Sequence, residues 1–191
     1  GYLTKGTTNA FNLHDYIRGS LYTMGVVNGE VSKITAALTE GTSINVKCAI
    51  YLHSNLSLVA NSTTDVVSCT GSAWPNSDWI DFAISGTKPK LTASADYLLE
   101  AWGDGAISLA MDTGTSVQAH SQSLAYTTNF PDPLVSGSNN YKFSIYATYV
   151  QSSASLSPSS SQSPSLSPSA SLSPSSSESP SVSPSASLSP S

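Results

Sequence analysis

Ile44-Asn-Val-Lys-Cys-Ala-Ile-Tyr-Leu52 is the stretch that decides the fold class of this chain. Within it, Val46, Cys48, Ile50 and Leu52 occupy every second position and alternate with Lys47, Ala49 and Tyr51. Successive side chains of a β-strand point to opposite faces, so a period of two predicts a half-buried strand rather than a helix.

Seven further runs rich in Val, Ile, Thr and Tyr occur in the first 150 residues. They cover residues 20–26, 31–38, 65–69, 79–84, 97–102, 107–111 and 142–149. Turn-forming pairs such as Asn28-Gly29 and Ser85-Gly86 separate the runs, and none has the 3.6-residue period of a helix. The pattern predicts an all-β domain, a two-sheet β-sandwich.

The composition changes abruptly after Val150. Residues 151–191 contain no aromatic residue and only one charge, at Glu178, and they are mostly Ser, Pro, Ala, Leu and Val. Such a segment buries too little apolar area to offset its chain entropy. The chain is therefore predicted to divide into a sandwich domain, residues 1–150, and an extended low-complexity tail, residues 151–191.

The tail is a repeat with two nested periods. Every odd-numbered residue from Ser153 to Ser191 is serine, and residues 157–172 and 173–188 are two copies of one 16-residue unit. Residues 189–191 open a third copy, so we expect the repeat to continue in the natural protein. In an extended chain all these serines share one face, and Pro, Leu, Ala and Val take the other.

Two interpretations of the tail remain open. One is a disordered, O-glycosylated spacer of the mucin type. The other is an ordered element that packs on further copies while its serine face carries sugars. In both, the candidate O-glycosylation sites are the odd-numbered serines, among them Ser157, Ser159, Ser161, Ser163, Ser165, Ser167, Ser169, Ser171, Ser173 and Ser175.

Charge and hydropathy argue against several classes of partner. Only 10% of residues are charged and the formal net charge is -5, which argues against nucleic acid and against anionic membrane surfaces. No apolar run approaches the roughly 18 residues of a membrane-spanning helix. The chain begins at Gly1, which fits the processed N-terminus of a secreted protein or a trimmed one. We expect an extracellular location, on a cell surface or a virion appendage.

Two cysteines and two glycosylation motifs bear on the same expectation. Cys48 and Cys69 lie in neighbouring strand-like runs and are predicted to form a disulfide, the alternative being two buried free thiols. Asn55-Leu-Ser57 and Asn61-Ser-Thr63 match the N-glycosylation acceptor pattern, which also arises by chance in a chain rich in Ser and Thr.

No constellation of residues predicts catalysis. His14, His53 and His120 are scattered, and neither a nucleophile elbow nor a zinc-protease motif is present in the sequence. We therefore predict that the protein is not an enzyme and needs no cofactor. The one candidate exception is calcium at Asp104 and Asp112, whose neighbouring glycines are equally typical of metal-free turns.

Aromatic side chains supply a candidate glycan site. Trp74 lies in the loop Gly-Ser-Ala-Trp-Pro-Asn and is predicted to be exposed, as a sugar-stacking residue must be. Trp79 and Trp102 lie in apolar runs and are predicted to be buried.

Five segments, in order, resemble a recurring β-sandwich module of extracellular and phage-like proteins from uncultured microbes. They are residues 46–51, 97–102, 122–126, 130–133 and 141–146. That module often stands beside SPSxSxSPS-type tails, so the resemblance extends to residues 151–191. It implies a jelly-roll-like sandwich and carries no catalytic motif. We expect a structural subunit that self-associates into a glycosylated filament or appendage, or alternatively a carbohydrate-binding adhesin on a glycosylated stalk.

Overall fold

The computed structural model describes residues 2–152 and shows an all-β domain. The candidate O-glycosylation serines and the repeat tail lie outside these residues. The domain has thirteen strands: β1 (Asn9–Asn12), β2 (Tyr16–Thr23), β3 (Gly29–Thr39), β4 (Ile44–Leu52), β5 (Val67–Cys69), β6 (Asp78–Ala83), β7 (Lys90–Leu91), β8 (Asp96–Gly103), β9 (Ser108–Thr113), β10 (Ala119–Ser123), β11 (Ser138–Asn139), β12 (Tyr141–Phe143) and β13 (Ile145–Gln151). No helix able to cross a bilayer occurs within this part of the chain.

The strands form two antiparallel sheets, as a β-sandwich requires. The six-stranded sheet has the order β11-β10-β2-β8-β4-β5. In the seven-stranded sheet the path is β1-β9-β3-β13, with β12 paired to β9 and with β6 and β7 paired to β3. The predicted all-β class and its two-sheet arrangement are therefore confirmed.

Most predicted strands are present, and β4 has the predicted bounds. The run predicted at residues 142–149 is split, because Ser144 joins two different neighbours. Its N–H donates to Ala110 O of β9 at 2.9 Å, and its carbonyl accepts from Ala37 N of β3 at 2.8 Å. β12 therefore follows β9, while β13 follows β3.

Apolar side chains from both sheets fill the space between them. Ile34, Phe82 and Phe143 come from the seven-stranded sheet, and Val46 and Ile50 come from β4 in the six-stranded sheet. All five are fully buried. This core is the large apolar cluster that the period-two pattern predicted.

The outer face of the six-stranded sheet is also buried, which the alternation in β4 did not predict. Residues 124–135, which we call the strap, lie across that face. Trp102 Nε1 donates to Leu124 O at 3.2 Å, and Tyr51 Oη donates to Pro131 O at 2.7 Å. Phe130 and Leu134 of the strap pack into a second apolar cluster with these two aromatic rings. β4 is thus buried on both faces, and the expectation of a half-buried strand was wrong.

The buried ammonium group of Lys47 binds the strap through hydrogen bonds. Its Nζ donates to the carbonyls of Thr127 and Thr128 at 2.6 and 2.8 Å. The same atom lies 4.6 Å from the ring centre of Trp102 and within 4.9 Å of those of Tyr126 and Phe130. Burial lowers the pKa of Lys47 to about 8, so the ammonium is still charged at pH 7. Charged hydrogen bonds and cation–π contacts offset the cost of taking this charge out of water.

Truncation of Lys47 should loosen the strap. We expect Lys47→Ala to lower the free energy of unfolding by about 3 kcal/mol, because it removes two charge-assisted hydrogen bonds and the buried stem. Lys47→Met keeps most of the stem and should cost about half as much. Chemical denaturation gives both values, and hydrogen exchange should show faster opening at residues 124–135. A Lys47→Met variant as stable as the parent would contradict a role for the ammonium.

A buried charged pair lies beside the strap on the same outer face. His120 of β10 and Glu100 of β8 both face Gly19 of β2, one from each side. Because Gly19 has no side chain, the two residues meet across it, with His120 Nδ1 3.2 Å from Glu100 Oε1. His120 Nε2 lies 2.9 Å from Val135 O at the end of the strap. Nε2 thus has a hydrogen-bond partner, and Nδ1 lies within ion-pair distance of the carboxylate without meeting hydrogen-bond geometry, an environment that favours the charged imidazolium.

Candidate functional site

One end of the sandwich is open between the two sheets, and we call this opening the end groove. Tyr22 and Met24 line it from β2 and the turn that follows, Tyr97 from β8, and Ala147 and Tyr149 from β13. Its accessible volume is about 100 Å³. Pockets that hold small molecules measure roughly 300–1,000 Å³, so the end groove has room for a side chain or two only.

A bulge and a glycine shape the groove wall. The pairing of β13 with β3 shifts between Thr148 and Tyr149, which places Tyr149 opposite the buried Val31 and turns its ring toward the groove. A Cβ on Gly29 would lie 2.4 Å from the Tyr149 ring and 2.9 Å from Met24 Cε. Only glycine at residue 29 lets these two side chains pack as the groove wall.

Two tyrosine hydroxyls of the groove, those of Tyr22 and Tyr97, are hydrogen-bonded within the domain. Tyr22 Oη donates to Phe143 O at 3.1 Å, and Tyr97 Oη accepts from Thr92 N at 2.8 Å. Burial raises the pKa of Tyr22 far above its usual value, so this phenol stays neutral. Among residues 2–152, no carboxylate, imidazole or ammonium group lines the groove. Its chemistry is that of an apolar slot, suited to binding and not to proton transfer.

Exposed apolar side chains surround the place where the tail leaves the domain. Val26 is 89% exposed, Val150 is 70% exposed and Tyr149 is 37% exposed. Ser152, the last residue described, donates from its N–H to Asn28 O at 3.0 Å. The chain therefore leaves the domain beside the turn that follows Met24, at the same end as the groove.

A second exposed aromatic feature lies on the outer face of the seven-stranded sheet. Trp79 of β6 and Tyr146 of β13 meet edge to face, with ring centres 5.2 Å apart, and both are half-buried. Beside them, Asp81 accepts from Lys33 Nζ and from Thr35 Oγ1, each at 2.6 Å. The Lys33 hydrogen bond holds the pKa of Asp81 below its usual range. The arrangement combines flat apolar rings with fixed polar groups.

The tryptophans differ from the sequence prediction in two cases out of three. Trp74 is half-buried rather than exposed, and Trp79 is half-buried rather than buried. Trp102 is fully buried, as predicted. Trp79 alternates with the core side chains Ile80 and Phe82, so its strand register turns it to the outer face despite its apolar neighbours.

The predicted disulfide is not formed, and Cys48 and Cys69 are separate buried thiols. In the pairing of β4 with β5, Cys69 lies opposite Ile44, four residues along the strand from Cys48. Four residues of strand span about 13 Å, whereas a disulfide needs Cα atoms within about 7 Å. The prediction was wrong because neighbouring strands do not by themselves place two residues in register.

Burial should make both thiols inert in the native protein. It raises the pKa of Cys48 well above its usual value and that of Cys69 to about 11, so neither forms the reactive thiolate at pH 8. We expect a thiol reagent to label no cysteine in the folded protein and two per chain after denaturation without reductant. Denatured, unreduced protein without reactive thiols would instead indicate a disulfide.

The calcium candidates are far apart and bound to the backbone. Asp104 accepts from Asn45 N at 2.9 Å and from Asn45 Nδ2 at 2.8 Å. Asp112 accepts from the N–H groups of Thr7 and Thr8 at 2.8 and 3.2 Å. One residue follows β8 and the other lies near the end of β9, so the two carboxylates cannot share an ion. Among residues 2–152, no three acidic, His or Cys side chains cluster as metal ligands.

Two of the three histidines lie near each other. The exposed His53 and the buried His120, which faces Glu100, line one cavity of about 270 Å³, while the exposed His14 does not line it. Asn55 and Asn61 are exposed, which leaves both open to glycosylation, and that modification stays a prediction.

Sequence reasoning missed the end groove, the aromatic pair and the Glu100–His120 pair. Each of these features joins residues far apart in the chain, and no local pattern marks any of them. A search of protein-family models and a search of curated proteins find no match to this chain. The resemblance described above therefore remains an expectation, and the site is interpreted from its own geometry.

Proposed function

We propose that the protein is a non-catalytic structural subunit of an extracellular, glycosylated filament or surface appendage, assembled through its Ser/Pro tail. The observation that carries this proposal is the set of exposed apolar side chains, Val26, Tyr149 and Val150, at the end of the domain from which the tail departs. Exposed apolar patches commonly mark surfaces that associate with other proteins. The low charge of the chain, 10% of residues, reduces the repulsion between like copies.

Electron microscopy and sedimentation of the full chain test this function. We expect filaments or large assemblies at micromolar concentration, unaffected by an excess of free monosaccharide. The substitutions Val26→Ser and Val150→Ser, made together, should reduce assembly without changing the melting temperature, because both side chains are largely exposed. A full chain that stays monomeric at all concentrations would refute the proposal.

The tail serines are proposed to carry O-linked sugars. In an extended chain, alternate hydroxyls recur about every 7 Å, which gives a regular row of acceptors. Mass spectrometry of the protein from its natural source should show excess mass in sugar units, localised beyond Val150. An unmodified tail would contradict this part of the proposal and leave the assembly itself to the test above.

A carbohydrate-binding adhesin is the second candidate function, and the Trp79–Tyr146 pair favours it. Aromatic faces stack on sugar rings, and Asp81 and Lys33 offer hydrogen-bonding groups beside them. Tryptophan fluorescence can be titrated with neutral mono- and disaccharides. We expect binding to be lost in Trp79→Ala and kept in Trp74→Ala, because Trp74 is a half-buried tryptophan in a loop outside β6. Unchanged fluorescence throughout the panel would count against a sugar site at this face.

The jelly-roll-like connection of the sandwich is also proposed. From β2 to β4 and from β8 to β10, the chain crosses between the sheets at every step. Repeated crossing of this kind supports the proposal, because jelly rolls are built from Greek keys that link two sheets. An experimental structure in which consecutive strands stay within one sheet would contradict it.

A further inference from the structure

We propose that the end groove binds a leucine side chain from the repeat tail of a second copy of the chain. This inference rests on the proposed filament function and names the contact that would hold neighbouring subunits together. It assigns one occupant to the groove, and it gives the register of the tail repeat a physical purpose.

The size and lining of the groove suit one branched aliphatic side chain. An apolar protein cavity of about 150 Å³ can hold a benzene molecule, so the accessible 100 Å³ of the groove is matched to a smaller group. Leu91, Leu99 and Ala147 provide aliphatic contacts inside it. The hydroxyls of Tyr22 and Tyr97 already have partners in the domain, so an apolar occupant would leave these two groups satisfied.

The tail supplies side chains of this kind at regular positions. Its large apolar residues all occupy even positions, opposite the serine face of an extended chain: Leu156, Leu166, Leu172, Val182 and Leu188. Each is flanked by two serines, so each is an isolated apolar group on a hydrophilic chain. An isolated leucine gains most from an isolated apolar slot, because the flanking serines can stay in water.

The tail begins beside the groove and is long enough to reach another copy. Ser152 is hydrogen-bonded to Asn28, in the turn that follows the groove residue Met24. The 39 residues after Ser152 would span about 130 Å if extended, against a diameter of roughly 40 Å for a domain of this size.

The repeat length also favours a second copy over the chain's own groove. Equivalent leucines, such as Leu172 and Leu188, are 16 residues apart and so about 53 Å apart in an extended chain. That spacing exceeds the width of one domain, so successive repeats can each serve a different domain without a clash. A leucine that served only its own domain would need no second repeat in the same register.

Photo-crosslinking from the groove tests the contact directly. A photoreactive p-benzoyl-phenylalanine replaces Tyr149 in the full chain, and equal amounts of unlabelled and ¹⁵N-labelled chains are mixed before assembly. We expect crosslinks from residue 149 to peptides containing tail leucines, with about half of them joining a labelled to an unlabelled chain. Crosslinks confined to single-label pairs would show that each chain fills its own groove, and they would overturn the inference.

Matched variants separate the groove from the tail. Ala147→Phe should fill the groove and reduce tail crosslinks at least tenfold, while Thr148→Phe, on the exposed face of the same strand, should not. Replacing the five large apolar tail residues with serine should have the same effect as Ala147→Phe. The tail variant leaves the domain unaltered, so it remains decisive if Ala147→Phe fails to fold.

The outcomes distinguish this inference from the proposed function. One outcome would refute the groove contact and leave the filament function standing. In it, filaments form as readily when the five large apolar tail residues are serine, and no tail crosslinks are found. A chain that neither assembles nor crosslinks would refute both. Loss of both filaments and tail crosslinks in the two variants, with the Thr148→Phe control unaffected, is the result that supports the contact.

Discussion

Gly19→Ala is expected to lower the free energy of unfolding by more than about 3 kcal/mol. A Cβ at residue 19 would lie 1.8 Å from Leu99 O and 2.8 Å from Glu100 Cα, both in the backbone of β8. Backbone atoms in the centre of a sheet cannot move aside as a flexible side chain can, so β2 and β8 would have to separate. Urea denaturation followed by circular dichroism measures the loss.

Gly25→Ala provides the matched control for this substitution. Its Cβ would have one neighbour within 4 Å, the Tyr149 hydroxyl at 3.7 Å, which is an ordinary contact. We expect a change within about 0.5 kcal/mol, as for most exposed sites. Similar losses in both variants would mean that the close approach of β2 to β8 is not what requires glycine at residue 19.

Breaking the Glu100–His120 pair should lower the free energy of unfolding about as much as Gly19→Ala does. We expect Glu100→Ala and His120→Ala each to lower the free energy of unfolding by about 3–5 kcal/mol, because each leaves the other polar group buried without its partner. The double variant should lose less than the sum of the two. The exposed pair Glu30–Lys90, 3.5 Å apart, is the control, and Glu30→Ala should cost under about 1 kcal/mol. Additive losses at residues 100 and 120 would contradict a coupled pair.

The same pair predicts how stability changes with pH. Burial on its own lowers the pKa of His120, but the facing Glu100 carboxylate and the Val135 carbonyl outweigh it and raise the pKa. The stabilisation is therefore fully present below about pH 6.5, the unfolded value, and is lost as pH rises through the folded pKa. Burial also raises the pKa of Glu100, although His120 opposes that shift. The raised pKa of Glu100 likewise makes stability fall as pH rises, but over a lower pH range.

We expect the free energy of unfolding to fall as pH rises from 6 to 7, below the range in which Lys47, whose pKa burial lowers to about 8, loses its proton. Asp78 and Asp81 do not interfere, since their hydrogen bonds lower their pKa values and their contributions change only in acid. Denaturation curves across this range should flatten in His120→Ala, which keeps the exposed His14 and His53. An unchanged slope in that variant would assign the pH dependence to another group.

The strands were predictable wherever their pattern was local. β4 has the predicted bounds because apolar residues alternate along it without interruption. β1, β7, β10 and β11 were missed, since they are short or polar and depend on their neighbours for hydrogen bonds. The strap could not be foreseen either, because Lys47 and Tyr51, which hold residues 124–135 in place, are distant from those residues in the chain.

The sequence by itself determined the all-β class, the boundary near residue 150 and the 16-residue repeat, because alternation and composition are properties of adjacent residues. Tertiary structure alone decided that Cys48 and Cys69 stay apart, that Trp79 faces outward and that His120 meets Glu100 across Gly19. Those relations depend on strand register and sheet order. A shift of one residue in register reverses the face of every side chain, and no local pattern specifies which distant strands become neighbours.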